Sequence, residues 1–171
     1  MRIRRFLYPV MISAICLLLV WSSDALAQTG KTWLERDAEI YAAAYATKDV
    51  ETVHLYTHPR LMETYGDYRY RLNYLFDRMY GEVTEVGFKV IDSGIRVGDN
   101  YISIVMMYLT FEDSNNRYYK QIPLLASGYE NVSGYFFIQP DDLSDGDLSY
   151  VFPGFSRSML PEYVPSRTEA K

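Results

Sequence analysis

The hydrophobic pattern changes period near the middle of the chain. Up to about residue 79, apolar positions recur at helical spacing. Leu34, Ala38, Tyr41 and Tyr45 form one stripe in TWLERDAEIYAAAYATKD, which opens with Thr32 and Glu35 at capping-box spacing. Asp49 can cap a second, shorter helix, VETVHLYT. Pro59 ends or redirects it, because a residue before proline avoids helical geometry. A short piece, RLMETY, stops at Gly66, and Asp67 caps YRYRLNYLFDRMY, with a stripe of Tyr68, Leu72, Leu75, Phe76 and Met79.

From Glu82 the period falls to that of strands. Val86, Phe88 and Val90 alternate, Ser93-Gly94 marks a bulge or bend, and GDN (98–100) and SNN (114–116) read as turns. The spacing predicts a four-stranded antiparallel meander ending in VSGYFFIQP. In its second strand Ile102, Ile104, Met106 and Tyr108 line one face, while Val105, Met107, Leu109 and Phe111 line the other. A strand with one wet face would alternate apolar and polar residues. Both faces here therefore need cover, one from the helices and the other from a second subunit or the C-terminal tail. Past Pro140 comes an acidic loop, and then Pro153, Pro161 and Pro165 argue against regular structure. The tail is expected to pack through Val151, Phe152, Phe155 and Leu160 and to fray after Pro165. The fold class that follows is α+β, with N-terminal helices packed on a curved four-stranded antiparallel sheet.

The first 27 residues have a different character. Arg2, Arg4 and Arg5 precede an apolar run over 10–21, and Ala25-x-Ala27 supplies a small-residue cleavage site. That is the layout of a secretory signal peptide, and the run is shorter than the ~20 residues of a comfortable membrane span. The expected organisation is a signal peptide at 1–27, one domain at 28–156 and a partly disordered tail at 157–171. The expected location is secreted or periplasmic, without stable membrane insertion after cleavage. Cys16, the one cysteine, falls inside the apolar run, so the exported domain relies on its core alone.

Of 17 basic and 22 acidic residues, the signal carries three Arg and one Asp, leaving 14 and 21, a net of −7. That balance argues against nucleic acid as a partner. Tyrosine is abundant at 17 residues. A buried Tyr brings an apolar ring but needs a partner for its hydroxyl, which suits a polar-edged pocket or a wet interface.

The order of elements, and above all AAYATKDVETVHLYTHPRLMETYG, resembles the nuclear transport factor 2-like superfamily, which includes ketosteroid isomerases and SnoaL-type cyclases. The resemblance covers about residues 31–140. It implies a cone-shaped, cystatin-like α+β fold whose helices close over the concave sheet face around a conical pocket. Its enzymes often place an acidic residue or His in that pocket, while other members bind ligands or mediate assembly.

Candidate chemistry is sparse. Both histidines, His54 and His58, fall in HLYTHPRLMETYG. On one continuous helix they could share a metal, but Pro59 interrupts that geometry and no third His exists. As acid–base groups either would need a nearby Tyr or carboxylate. The favoured reading is a helix junction in which His58 caps or bonds backbone. Tyr41, Tyr45, Tyr56, Tyr74, Tyr108 and Tyr135 are the candidate pocket residues, suited to a small, mostly apolar ligand. Asp141, Asp142, Asp145, Gly146 and Asp147 fail the EF-hand template at Leu143 and Phe152 and read as a solvated acidic turn. Asn131-Val132-Ser133 fits a glycosylation sequon. No nucleophile elbow, phosphate-binding Gly loop or cofactor motif is present, so neither metal nor cofactor is expected.

The expectation is an exported, non-catalytic domain that binds a small ligand or a protein and forms a homodimer through its outer sheet face. The alternatives are an isomerase, cyclase or dehydratase-like enzyme using His54 or His58, and an interaction or inhibitor protein using the sheet face.

Overall fold

The computed structural model describes residues 32–79, 82–129 and 132–171. The expected signal segment, and Asn131 of the sequon, lie outside the described residues. Four helices come first: α1 (Trp33–Ala46), α2 (Val50–Leu55), α3 (Pro59–Tyr65) and α4 (Tyr68–Asp77). Each short helix starts where a side chain can satisfy free backbone N–H groups. Asp49 accepts from Thr52 N, His58 from Arg60 N and Asp67 from Arg69 N. Gly66 ends α3 with φ +68°, a conformation that suits glycine.

The sheet follows in the order β1 (Glu82–Val97), β2 (Asn100–Glu112), β3 (Asn116–Tyr129) and β4 (Val132–Ile138), every pairing antiparallel. The fold is α+β, helices first and then a curved, unclosed sheet. Register shifts around Asp92 place a bulge at Ser93-Gly94, as the sequence suggests. Beyond the sheet come α5 (Asp145–Val151) and β5 (Ser166–Ala170).

Cross-strand partners fix the two faces. Val105, Met107 and Leu124 point toward the helices, together with Ala126 and Phe137, whose ring lies 4.9 Å from that of Tyr41 on α1. Ile102, Ile104, Leu125, Phe136 and Ile138 point the other way. The double-sided burial of β2 is real, and residues 102–107 are all buried. The outer cover at that end is the C-terminal segment. Phe152 packs edge-on against His58 at 5.3 Å, and His58 meets Phe136 at 6.4 Å. Pro153 closes on the β1–β2 turn so tightly that a Cβ at Gly98 would sit 2.7 Å from its carbonyl oxygen.

Two expectations need correction. The acidic run is solvated at Asp141, Asp145 and Gly146, as expected, but it is more than a turn. Ser144 and Asp147 build a reciprocal capping box that starts α5, Tyr65 donates to Asp147 at 2.5 Å, and Asp142 is half-buried. The chain also keeps its structure past Pro165. Ser166–Ala170 pair with Asn116–Lys120 at the length of β3 that β4 does not reach. The backbone ladder, and the Lys171–Glu112 ion pair at 2.9 Å, hold a strand whose five residues are all exposed. A hydrophobic pattern carries no signal for such a strand, because nothing on it is buried.

One buried charge ties α1 to the sheet. Asp37, 1% exposed, accepts from Arg36 at 2.9 Å and from the backbone N–H of Tyr135 at 2.9 Å. Asp37→Ala leaves that N–H without its acceptor and should cost about 2 kcal/mol. Urea unfolding measures this, and a loss below about 0.5 kcal/mol would show that the bond contributes little.

Candidate functional site

The sequence-predicted residues separate into three places. His58 is buried at the start of α3, with its ring Nδ1 accepting from Arg60 N at 3.3 Å and its backbone N–H donating to the Phe137 carbonyl at 3.2 Å. With Phe137 N donating to the Tyr56 carbonyl, this forms a short parallel bridge that covers the edge of β4. Burial, and then the nearby Arg60 guanidinium, push the His58 imidazole down to about 4. So weak and so buried a base is poorly matched to taking a proton from an external substrate at neutral pH. His54 lies on α2, half-buried, and its Nδ1 is buried with no partner among the described residues. Tyr56 and Thr57 break the helix between the two rings. Among the described residues no three His, Cys, Asp or Glu side chains converge as a metal-ligand group.

Tyr41 and Tyr45 occupy the helix side of the sheet. Tyr41 packs on Phe137, and Tyr45 meets the Phe76 ring edge-on at 5.1 Å. Tyr68 and Gln139 join them, and Gln139 Nε2 donates to the Tyr41 hydroxyl at 3.4 Å. Arg71 donates to the Asp142 backbone carbonyl at the edge of this cluster. Burial raises all three phenols, Tyr45 to about 12, so they stay protonated and act as hydrogen-bonding groups. Burial also raises the Asp142 carboxyl above the usual carboxylate range. The cluster is a polar seam between α1, α4 and the turn after β4. Tyr56 and Tyr135 are half-buried, and Tyr74 faces solvent with the Arg78 guanidinium 4.0 Å above its ring.

The third place is on the opposite face of the sheet, and it contains Tyr108. At the Thr110 end of β2 the outer face is not roofed by α5. A groove of about 270 Å³ opens there, lined by Tyr108 and Thr110 of β2, Tyr119 and Gln121 of β3, and Val164 and Arg167 of the tail, among others. Register explains the grouping, since Tyr108 pairs with Gln121 and Thr110 with Tyr119, so all four side chains share one face. The tail forms the wall. Gln121 N donates to the Pro165 carbonyl at 3.3 Å, and Gln121 Oε1 accepts from Val164 N at 3.2 Å.

Of the six candidate tyrosines, the structure thus brings Tyr41 and Tyr45 together in the seam and puts Tyr108 alone in the groove. Sequence reasoning missed Tyr68, Gln139 and Asp142 in the seam, and Tyr119, Gln121 and Arg167 in the groove. Period-two alternation past Tyr118 could have grouped Tyr119 with Gln121, but joining them to Tyr108 needs the register of β2 on β3. The contribution of Arg167 depends on a strand with no apolar pattern. No family model, curated protein or solved structure matches the chain.

Proposed function

We propose that this chain is an exported, non-catalytic binding domain of nuclear transport factor 2-like type, and that it works through the groove on its outer sheet face. One observation carries the reading. Tyr108 stands 37% exposed in an open cavity with hydrogen-bonding neighbours, whereas Tyr41 and Tyr45 are closed in by ring packing. Amphipathic rings at the mouth of a cavity, with a few convergent polar groups, are the usual make-up of a small-ligand site. The order of helices and curved sheet supports the superfamily assignment. The enzyme alternative is weakened because His58 is spent on a helix cap. A second copy of the chain competes for the same face, favoured by exposed Val164 beside Tyr108.

Native mass spectrometry of the protein purified from its own compartment tests this directly. The wild type should carry a retained small-molecule adduct that Tyr108→Ala loses. An adduct held equally by both would place the binding site elsewhere, and a dimeric mass abolished by Tyr108→Ala would favour the second copy.

A further inference from the structure

We infer that the groove accepts a neutral saccharide, one sugar ring stacked on Tyr108 with its hydroxyls bonded to the surrounding side chains. The inference rests on the groove being the binding site. It begins with what the groove excludes. A peptide commonly joins a sheet by adding a strand to an open edge. No such edge faces the groove: β2 pairs along one side of β3, β5 pairs with Asn116–Lys120 on the other, and Gln121 bonds the tail through both its N–H and its Oε1. Recognition must use side chains. An anion is also poorly matched. The Arg167 guanidinium is paired with Glu169 at 2.6 Å and stacked 4.8 Å over the Tyr119 ring, so its charge is already compensated.

Lys120 borders the groove as well, but it pairs with Leu109 and so belongs to the opposite face of β3. What remains on the groove face is a set of neutral groups of mixed polarity. The Arg167 stack occupies one face of Tyr119 and leaves Tyr108 as the open ring. The Tyr108 hydroxyl has no partner among the described residues. Gln121 uses its carboxamide oxygen on the tail and keeps its NH₂ as a donor. The Thr110 hydroxyl donates to Glu85 at 3.4 Å and keeps its lone pairs as acceptors, whereas the Tyr119 hydroxyl donates to Glu169 at 3.2 Å and is also hydrogen-bonded to Arg117. Donors and an acceptor therefore lie beside one exposed aromatic ring. A pyranose has the complementary make-up: an apolar face of C–H groups that lies on a ring, and a rim of hydroxyls that both donate and accept. A fatty or purely apolar ligand would leave those polar groups desolvated and unpaired.

Titration of the full chain with maltohexaose, cellohexaose and chitohexaose, with glucose as the free-sugar arm, provides the test by ligand-observed NMR. At least one hexasaccharide should bind. Removing the ring by Tyr108→Ala should weaken it by about tenfold, while Tyr108→Phe should retain most of the affinity. Tyr150→Ala, an exposed ring on α5 outside the groove, should leave binding unchanged. Binding of glucose as tight as a hexasaccharide would assign a single-sugar ligand, and preference for the hexasaccharide an extended glycan; both support the class. Absence of binding by all four sugars, or affinity unchanged in Tyr108→Ala, would overturn it. The mass-spectrometric adduct separates the two levels. A non-saccharide adduct lost in Tyr108→Ala keeps the groove and removes the sugar, and an adduct indifferent to Tyr108 removes both.

Discussion

Phe137→Ala should destabilise the domain by about 3–5 kcal/mol, a large share of the total for a single domain. Phe137 has no exposed surface and sits where three parts of the chain meet. Its ring packs on Tyr41 of α1, its N–H donates to the Tyr56 carbonyl at 2.8 Å, and its carbonyl accepts from His58 N. Truncation would leave those backbone bonds in place, so the loss comes from the ring: its transfer free energy plus the cavity left between α1 and β4. The neighbours cannot collapse freely into that space, since Tyr41 is also held by Gln139 and the α1 backbone by the Asp37–Tyr135 bond. Urea unfolding should show a lower midpoint at unchanged slope. Phe137→Leu, which keeps most of the volume, should cost no more than about 1.5 kcal/mol. A loss under about 1 kcal/mol for the alanine variant would mean that the helix layer does not rest on this ring.

Much of this arrangement was legible in the sequence, because burial leaves a periodic trace. The stripe on α1, the capping aspartates at 49 and 67, the stop at Gly66 and the double-sided burial of β2 all follow from local chemistry. They led directly to helices followed by an antiparallel sheet. What escaped was set by partners distant in sequence. Asp142 lies in an acidic run that looks solvated, yet it is half-buried, and its carbonyl accepts from Arg71, seventy-one residues earlier. β5 is stabilised by a ladder to β3 and by Lys171 on Glu112, neither of which has a hydrophobic signature. The groove suffers from both effects. Its rings were visible as tyrosines, but their grouping needed the register of β2 on β3 and the return of a tail that three prolines seemed to leave loose. For His58 the sequence reading came closest. Pro59 fixed the break in the helix, and a His in that position becomes a cap.

That cap should make the domain acid-sensitive in a defined window. Stability should fall by about 3 kcal/mol as pH drops from 6.5, the ordinary value for His, to about 4, where the buried ring of His58 protonates. The sign follows from proton binding. Below 6.5 the unfolded chain takes up a proton at this ring while the folded chain does not, so protons favour the unfolded state until both have bound one. Burial at 4% exposure, between Phe136 and Phe152 and near the Arg60 charge, disfavours the charged form. Protonation would also remove the Nδ1 lone pair that caps α3. Other groups titrate on either side. Asp49, Glu112, Asp113 and Asp147 are held below the usual carboxylate range by hydrogen bonds, so their contribution disappears at lower pH, whereas Asp142, raised by burial, favours the folded state as pH falls. The comparison that isolates His58 is therefore with His58→Asn, which can still accept from Arg60 N but does not titrate. Urea midpoints measured at several pH values across this window should decline steeply for the wild type and much less for the variant. Parallel declines in the two proteins would show that the acid sensitivity lies in the carboxylates and not in this ring.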